Sequence, residues 1–252
     1  DTADIKRAAE TLMWGKFTNC GQICVAPDHI HVHESVKDRF VAECRRVIEE
    51  RYGRTADAQR NSADLTRVIN QRHTQRIAGL LDDARQKGAR VLTGGEVDVG
   101  NCFIAPTLID QVAPEASIMS EEIFGPVLPI LSYRNLDDVV RAINAQPKPL
   151  ALYIFSKDKA RTRRLLAQTS SGGAAINHCV MHYAHGNLPF GGVNNSGIGS
   201  AHGEFGFKAF SHERAVLQSG PIMLAQLFFP PYTDFKKKLI RLTVDSLRLP
   251  SL

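Results

Sequence analysis

The stretch ALYIFSKDKARTRRLLAQTSSGGAAINH, residues 151–178, decides the fold. ALYIFS reads as a buried strand, KDKARTRRLLAQT as a helix, and GGAAINH as a second strand. The same alternation extends upstream. Asp137 and Asp138 open a helix that runs toward Ala145, after the apolar segments NCFIAPTLID and VAPEASIMSEEIFGPVLPILSY. A long helix is expected from about Leu65 to Lys87, stopped by Gly88 ahead of the strand ARVLTGG. Before it, a polar connector, RTADAQRNSAD, follows a helix capped by Ser35 and ended by Gly53, with Val36, Phe40, Val41, Cys44, Val47 and Ile48 on its apolar side. DHIHVHE is a short strand with Ile30 and Val32 on one face and histidines on the other. The chain begins on a helix, with Ile5, Ala8, Ala9, Leu12 and Met13 at helical spacing and Asp1, Thr2 or Asp4 as its cap. Four or five strands alternating with helices predict an α/β fold: an open, largely parallel sheet flanked by helices on both faces.

Composition bounds the rest. At 252 residues the chain has room for one large domain or two small ones; 43% apolar and 23% charged residues exclude the disordered and collagen-like classes. No run reaches about 18 apolar residues, and PIMLAQLFFPPY at 221–232 is short and proline-rich, so no membrane span is expected. The net charge of +5 is weak ground for a nucleic-acid partner, and none is expected. Five cysteines, an odd number, read as free thiols of a reducing compartment, which points to the cytoplasm. The start so close to an ordered helix suggests an artificial boundary or a mature chain cut from something longer; the sequence leaves both open.

Several residues could carry chemistry. Cys24 lies between a helix and a strand in FTNCGQICVAPD, residues 17–28, with Gly21 ahead and Pro27 behind. A thiol on such a loop can meet a substrate carbonyl with backbone N–H groups close by for the developing alkoxide; the alternative is a small hydrophobe filling space. Cys44 belongs to a helix core, and Cys102 and Cys179 to strand edges in structural roles. Cys20 and Cys24 with His29, His31 and His33 suggest zinc by count, but no second Cys pair or HExxH helix closes four ligands, so no metal is expected. Of Glu121 and Glu122, one could serve a ligand while the other stays in solvent; a capping or solvated pair is the alternative. Residues 178–206 lose all periodicity and hold seven glycines, so they should wrap the surface or line a cleft. Their glycines at 191, 192, 197 and 199 have neither the spacing nor the setting of the dinucleotide fingerprint. Lys236, Lys237 and Lys238 lie in an amphipathic basic tail, either a solvated helix face or a contact for an anionic membrane surface.

Three long motifs go beyond periodicity: FTNCGQICVAPD (17–28), SEEIFGPVLPI (120–130) and LPFGGVNNSGIGSAHGEFGFKAFSHERAV (188–216). Together they resemble the catalytic portion of the NAD(P)-dependent aldehyde dehydrogenase superfamily, most of all its class 3, fatty-aldehyde and coniferyl aldehyde branch. The resemblance runs from about residue 5 to about residue 232. It implies that Cys24 is the nucleophile that attacks the aldehyde, giving a thiohemiacetal and then a thioester, with its own backbone N–H as half of the oxyanion hole. Glu122 would hold the nicotinamide ribose hydroxyls of NAD or NADP, and Phe124 would pack near that ribose. Asn19 would help shape the substrate pocket, and Phe190, with Gly191 and Gly192, would close on its substrate side. Cys20, where relatives often carry serine, is expected to be harmless.

The resemblance also implies what this chain lacks. The family's nucleophile is preceded by a Rossmann-like coenzyme-binding domain, an Asn that supplies the second oxyanion donor, and a Glu in an ELGGK-type motif that activates the hydrolytic water; 23 residues precede Cys24 here. Residues 1–214 are then a catalytic domain whose coenzyme-binding domain is mostly absent, and residues 215–252 a C-terminal segment with the basic tail. On its own such a chain should be inactive; a non-catalytic structural or interaction module derived from the fold is the alternative. A homo-oligomer, a dimer by family habit, is the expected assembly. The tail leaves contact with a membrane surface open.

Overall fold

The computed structural model describes residues 1–247. The chain divides into two compact units, Asp1–Ser211 and His212–Leu252.

The first unit opens on α1 (Ile5–Phe17), capped by Asp4, whose carboxylate accepts from the Arg7 N–H at 3.3 Å. It continues through β1 (Ile30–His33), α2 (Glu34–Tyr52), α3 (Ala56–Arg60), α4 (Gln71–Gln86), β2 (Arg90–Thr93), β3 (Val97–Asp98), β4 (Phe103–Ile104), β5 (Thr107–Asp110), β6 (Val127–Tyr133), α5 (Leu136–Ala145), β7 (Ala151–Ile154), α6 (Lys159–Gln168), β8 (Gly173–Ile176) and α7 (Gly203–Ala209). The central sheet has the order β1-β6-β5-β2, parallel at its first two pairings and antiparallel at β2. Side-chain alternation divides it between two cores. Leu108, Leu128 and Ile130 face α1 and α2, packing with Ala9, Leu12, Val41, Cys44 and Ile48; Ile109 and Val127 face α4, packing with Ile77, Leu80, Leu81 and Ala84. A helical layer on each face is what a largely parallel sheet requires, because neither of its faces carries a polar row for water. At the sheet's far end the fully buried Asp110 of β5 is held by Lys37 of α2 at 2.6 Å and Arg90 of β2 at 3.0 Å.

The α/β class with a largely parallel sheet therefore holds, while its division into sheets differs from the expectation of one sheet of four or five strands. β3 and β4 form a separate antiparallel pair, and β7 and β8 a separate parallel pair. The strand over ALYIFS, expected to be buried, buries Ile154 and leaves Ala151, Leu152 and Tyr153 half-buried, because β7 pairs with β8 alone and one face of this two-stranded sheet stays open. α4 starts at Gln71, not near Leu65, since the Asn70 side chain accepts from the His73 N–H at 2.9 Å and Leu65–Ile69 form no helix. α2 is capped by His33, whose Nδ1 accepts from the Ser35 N–H at 3.2 Å, so Ser35 lies inside the helix. The polar connector holds the short α3, capped by Thr55. Residues 178–206 are irregular apart from the 3-10 turn Asn194–Ser196, an antiparallel bridge between Phe190 and Ala201, and the start of α7.

The second unit contains a 3-10 turn, Leu224–Phe228, and α8 (Asp234–Leu247). Phe235 and Leu242 of α8 are exposed, with Lys236, Lys237, Lys238 and Arg241 on the same helix. Residues 248–252 of the basic tail lie outside the described residues. No described helix is long and apolar enough to cross a membrane.

Candidate active site

α1 delivers the chain into an unusual reversal. Asn19, Cys20 and Gly21 follow one another in the left-handed region, at φ 51°, 56° and 74°. Glycine is required at the third of these, since a Cβ on Gly21 would stand 2.3 Å from the Gly125 carbonyl oxygen. That close approach lays the reversal against the Glu122–Gly125 loop. Asn19 is exposed, and its Nδ2 donates to the Gln22 carbonyl at 3.0 Å. Gln22 ties the reversal down: its amide nitrogen donates to the carbonyls of Asn19 at 3.0 Å and Arg67 at 3.1 Å, and its oxygen accepts from the Ile69 N–H at 2.9 Å.

Beyond Gln22 a tight turn, closed by the Ala26 N–H on the Ile23 carbonyl at 2.9 Å, carries Cys24 at its exposed tip. The Cys24 N–H bonds no acceptor among the described residues. An exposed thiol with a free amide donor in the same residue is the arrangement a thiol addition to a carbonyl uses. Val25, next in the chain, is buried with Cys179 and Val180, and Ile23, Tyr153 and Phe190 pack against that cluster. Phe190 is thus brought to the same cluster as the thiol turn. Its ring stacks on His202, centroids 5.3 Å apart and planes at 17°, and meets Tyr183 edge-on at 5.6 Å.

The two adjacent glutamates part company. Arg76 of α4 pairs with Glu121 at 2.6 Å and donates to the carbonyls of Glu122 at 3.1 Å and Ile123 at 2.5 Å, while Asp28 accepts from the Ile123 N–H at 3.1 Å. The Glu122 carboxylate makes no hydrogen bond or ion pair among the described residues, so both oxygens can accept from a ligand. Burial, then the Asp28 charge, pushes its pKa up against the pull of Arg76 and Lys16. Phe124, 40% exposed, holds a positive φ of 48° on the same loop.

Behind this loop lies a lysine that the sequence reading passed over. Lys16 is 1% exposed and shares its surroundings with Asp28, Cys20 and Glu122; burial brings its pKa down to about 8 against those three neighbours. A signal was available, since Lys16 continues the apolar stripe of Ile5, Ala9, Leu12 and Met13 at helical spacing. Gln22, Asp28, Arg76 and Tyr153 carried no such signal. Their roles arise from partners distant in the chain.

Three of the remaining four thiols are packed away. Cys20 and Cys179 are buried, with burial pushing each thiol up to about 12, and Cys44 is displaced further in the same direction. Cys102 is half-buried in the turn between β3 and β4. His29 and His31 meet edge-on at 5.2 Å, and burial holds both below the usual imidazole range. Among the described residues no group of three or more His, Cys, Asp or Glu is arranged to hold a metal ion.

The profile of the aldehyde dehydrogenase family matches residues 1–216. This chain belongs to the aldehyde dehydrogenase family. It is 40% identical over 235 residues to mouse (Mus musculus) aldehyde dehydrogenase family 3 member A2, covering 92% of this chain and 47% of that protein. With rat (Rattus norvegicus) "aldehyde dehydrogenase, dimeric NADP-preferring" it shares 42% identity over 214 residues, 85% of this chain and 46% of the relative. A solved structure described as the substrate-bound state of Staphylococcus aureus AldH superposes with a TM-score of 0.85 at 42% identity, covering 97% of this chain and 52% of that one. The chain spans about half the length of these relatives. The class 3 branch suggested by the motifs agrees with the mouse relative's name, a family 3 member.

Proposed function

We propose that this chain is the catalytic portion of an NAD(P)-dependent aldehyde dehydrogenase that oxidises an aldehyde to a carboxylic acid through Cys24. The observation that carries the proposal is the exposed thiol at the tip of a turn that follows the reversal packed on Gly125 and whose Val25 is buried in the cluster that Phe190 joins. The Cys24 thiolate adds to the aldehyde carbon, and the alkoxide of the resulting thiohemiacetal accepts from the free Cys24 N–H. The nicotinamide coenzyme, NAD or NADP, supplies the hydride acceptor when bound. Glu122 fits it, because its unpaired carboxylate oxygens can accept from ribose hydroxyls, and Phe124 offers an exposed ring on the same loop. Loss of hydride from the thiohemiacetal carbon leaves a thioester on Cys24; water then adds, the C–S bond breaks, and the acid and the free thiol are released. Phe190 and Asn19 border the aldehyde's approach.

The 252-residue polypeptide by itself is expected to give no aldehyde-dependent NAD(P)H formation. Turnover needs a coenzyme held at hydride distance and a positioned base for thioester hydrolysis, and loss of one oxyanion donor alone slows such chemistry by about 10² to 10³. Joined to an upstream coenzyme-binding domain, the same residues are expected to oxidise aldehydes. Robust NAD(P)H production by the purified 252 residues, proportional to protein and abolished by Cys24→Ala, would overturn the fragment reading. A stable complex of this chain with another protein and no activity in the longer form would favour the non-catalytic module instead.

The assembly we propose is a homodimer, in line with the relative named as dimeric, and sedimentation velocity checks it. Unpaired cysteines throughout support a cytoplasmic location, checked by cell fractionation. Membrane contact through the tail is favoured by the exposed Phe235 and Leu242 on a helix that also carries three lysines and an arginine. Vesicles containing phosphatidylserine should bind the protein, lose it as salt rises, and fail to bind it once residues 233–252 are removed; undiminished binding without the tail would reject the contact.

A further inference from the structure

The Tyr153 hydroxyl stands at a junction that nothing in the proposed chemistry uses. It donates to the Val25 carbonyl, one residue past the thiol, at 2.6 Å. Tyr153 itself is fixed in β7, whose register with β8 pairs it with Ala175. His182 lies edge-on against its ring at 5.7 Å and tilts against Phe190 at 6.2 Å. The His182 ring nitrogens are buried without hydrogen-bond partners, so this imidazole acts here as packing. Room for it comes from Gly173, where a Cβ would stand 2.8 Å from the His182 Cδ2. One phenol oxygen therefore ties the thiol turn to β7. The turn's own closure is a single hydrogen bond, from the Ala26 N–H to the Ile23 carbonyl.

We propose that Tyr153 is a positioning residue for the nucleophile: its hydroxyl fastens the Val25 carbonyl and so fixes the direction in which the Cys24 thiol and N–H point. The inference rests on Cys24 being the nucleophile. It goes beyond that reading by assigning the thiol's orientation to a side chain 129 residues away in sequence from Cys24 (153 − 24). Burial holds the phenol well above the usual tyrosine range, so the hydroxyl keeps its proton and remains a donor across the working pH range. A neutral donor on a carbonyl places no charge next to the thiol. Its effect is geometric, and substrate affinity is left alone.

The test is Tyr153→Phe, which keeps the ring against His182 and removes the donor. In the wild-type chain a limiting amount of iodoacetamide should label the exposed Cys24 before the buried Cys44. Tyr153→Phe should slow Cys24 alkylation by about five- to tenfold while Cys102 reacts at its wild-type rate and the far-UV circular dichroism is unchanged. With the coenzyme-binding domain joined, kcat should fall by a similar factor and the aldehyde KM should hold. Wild-type alkylation and wild-type kcat in Tyr153→Phe would overturn the proposal, and so would a parallel change at Cys102, which would mark general loosening. Should the variant fold poorly, 4-fluorophenylalanine at position 153, close to tyrosine in shape and lacking the donor, gives the same comparison. Failure of the underlying reading is distinguishable, because an active Cys24→Ala enzyme would remove the nucleophile itself, whereas an inactive Cys24→Ala with an unaffected Tyr153→Phe removes only the strap.

Discussion

Cys24→Ala is expected to abolish aldehyde oxidation, lowering kcat by at least about 10⁴ in an enzyme that carries this chain with its coenzyme-binding domain, the scale on which removing a covalent nucleophile acts. The three buried thiols cannot take over. Cys20 and Cys179 are 1% and 0% exposed and keep their protons at neutral pH, and Cys44 lies in the core between α1 and α2. The substitution should leave the fold intact, because the Cys24 side chain is exposed and the turn is closed by backbone atoms of Ile23 and Ala26. Thermal unfolding of the variant should therefore match wild type within about 0.5 kcal/mol. Activity within tenfold of wild type, in a variant that unfolds normally, would show that aldehyde oxidation proceeds without Cys24 and would remove the basis of the proposed chemistry.

Lys16→Met is expected to stabilise the protein at pH 7 by up to about 3 kcal/mol, the free-energy equivalent of the displacement of Lys16 from an ordinary lysine pKa. The folded chain holds this ammonium in the interior, with a pKa near 8 where an exposed lysine stands near 10.5; burial is the larger cause, and Asp28, Cys20 and Glu122 offset part of it. Between those two values the unfolded chain binds more protons than the folded one, so the Lys16 contribution to stability rises with pH across that window and is level below about 8. Methionine matches the length of the stem and carries no charge, so the advantage of the variant should be largest at and below pH 7 and should vanish near pH 10.5. Urea unfolding of both proteins at pH 7 and at pH 10 checks this, the other titrating groups cancelling in the difference. A variant less stable than wild type at pH 7 would show instead that the carboxylates of Asp28 and Glu122 hold the ammonium at a net gain.

The helices were the most legible part of the fold. Ile5, Ala8, Ala9, Leu12 and Met13 announce α1, and all five are buried, because a 3.6-residue period needs no information from elsewhere in the chain. Alternation likewise found β1, and the three long motifs pointed to Cys24, Glu122, Phe124, Asn19 and Phe190 as a set. What a strand pairs with is not written in its own period. β7 and β8 have the apolar look of central strands, yet they pair with each other outside the four-stranded sheet, and the open face left Tyr153 half-buried and close to the thiol turn.

The site followed the same division. The sequence by itself determined that a thiol follows a glycine on a short loop after a buried helix, that two glutamates precede IFGP, and that a glycine-rich segment carries Phe190. Tertiary structure alone decided which glutamate keeps a free carboxylate, since Arg76 reaches Glu121 from 45 residues away and holds the neighbouring carbonyls as well. It also decided that Lys16 is enclosed and that Gly21 must lack a Cβ beside the Gly125 carbonyl. The physical reason is common to all three. Local periodicity reports how a residue sits on its own helix or strand, whereas a charge's partner, its desolvation and the clearance around a backbone depend on groups that the folded chain brings from elsewhere.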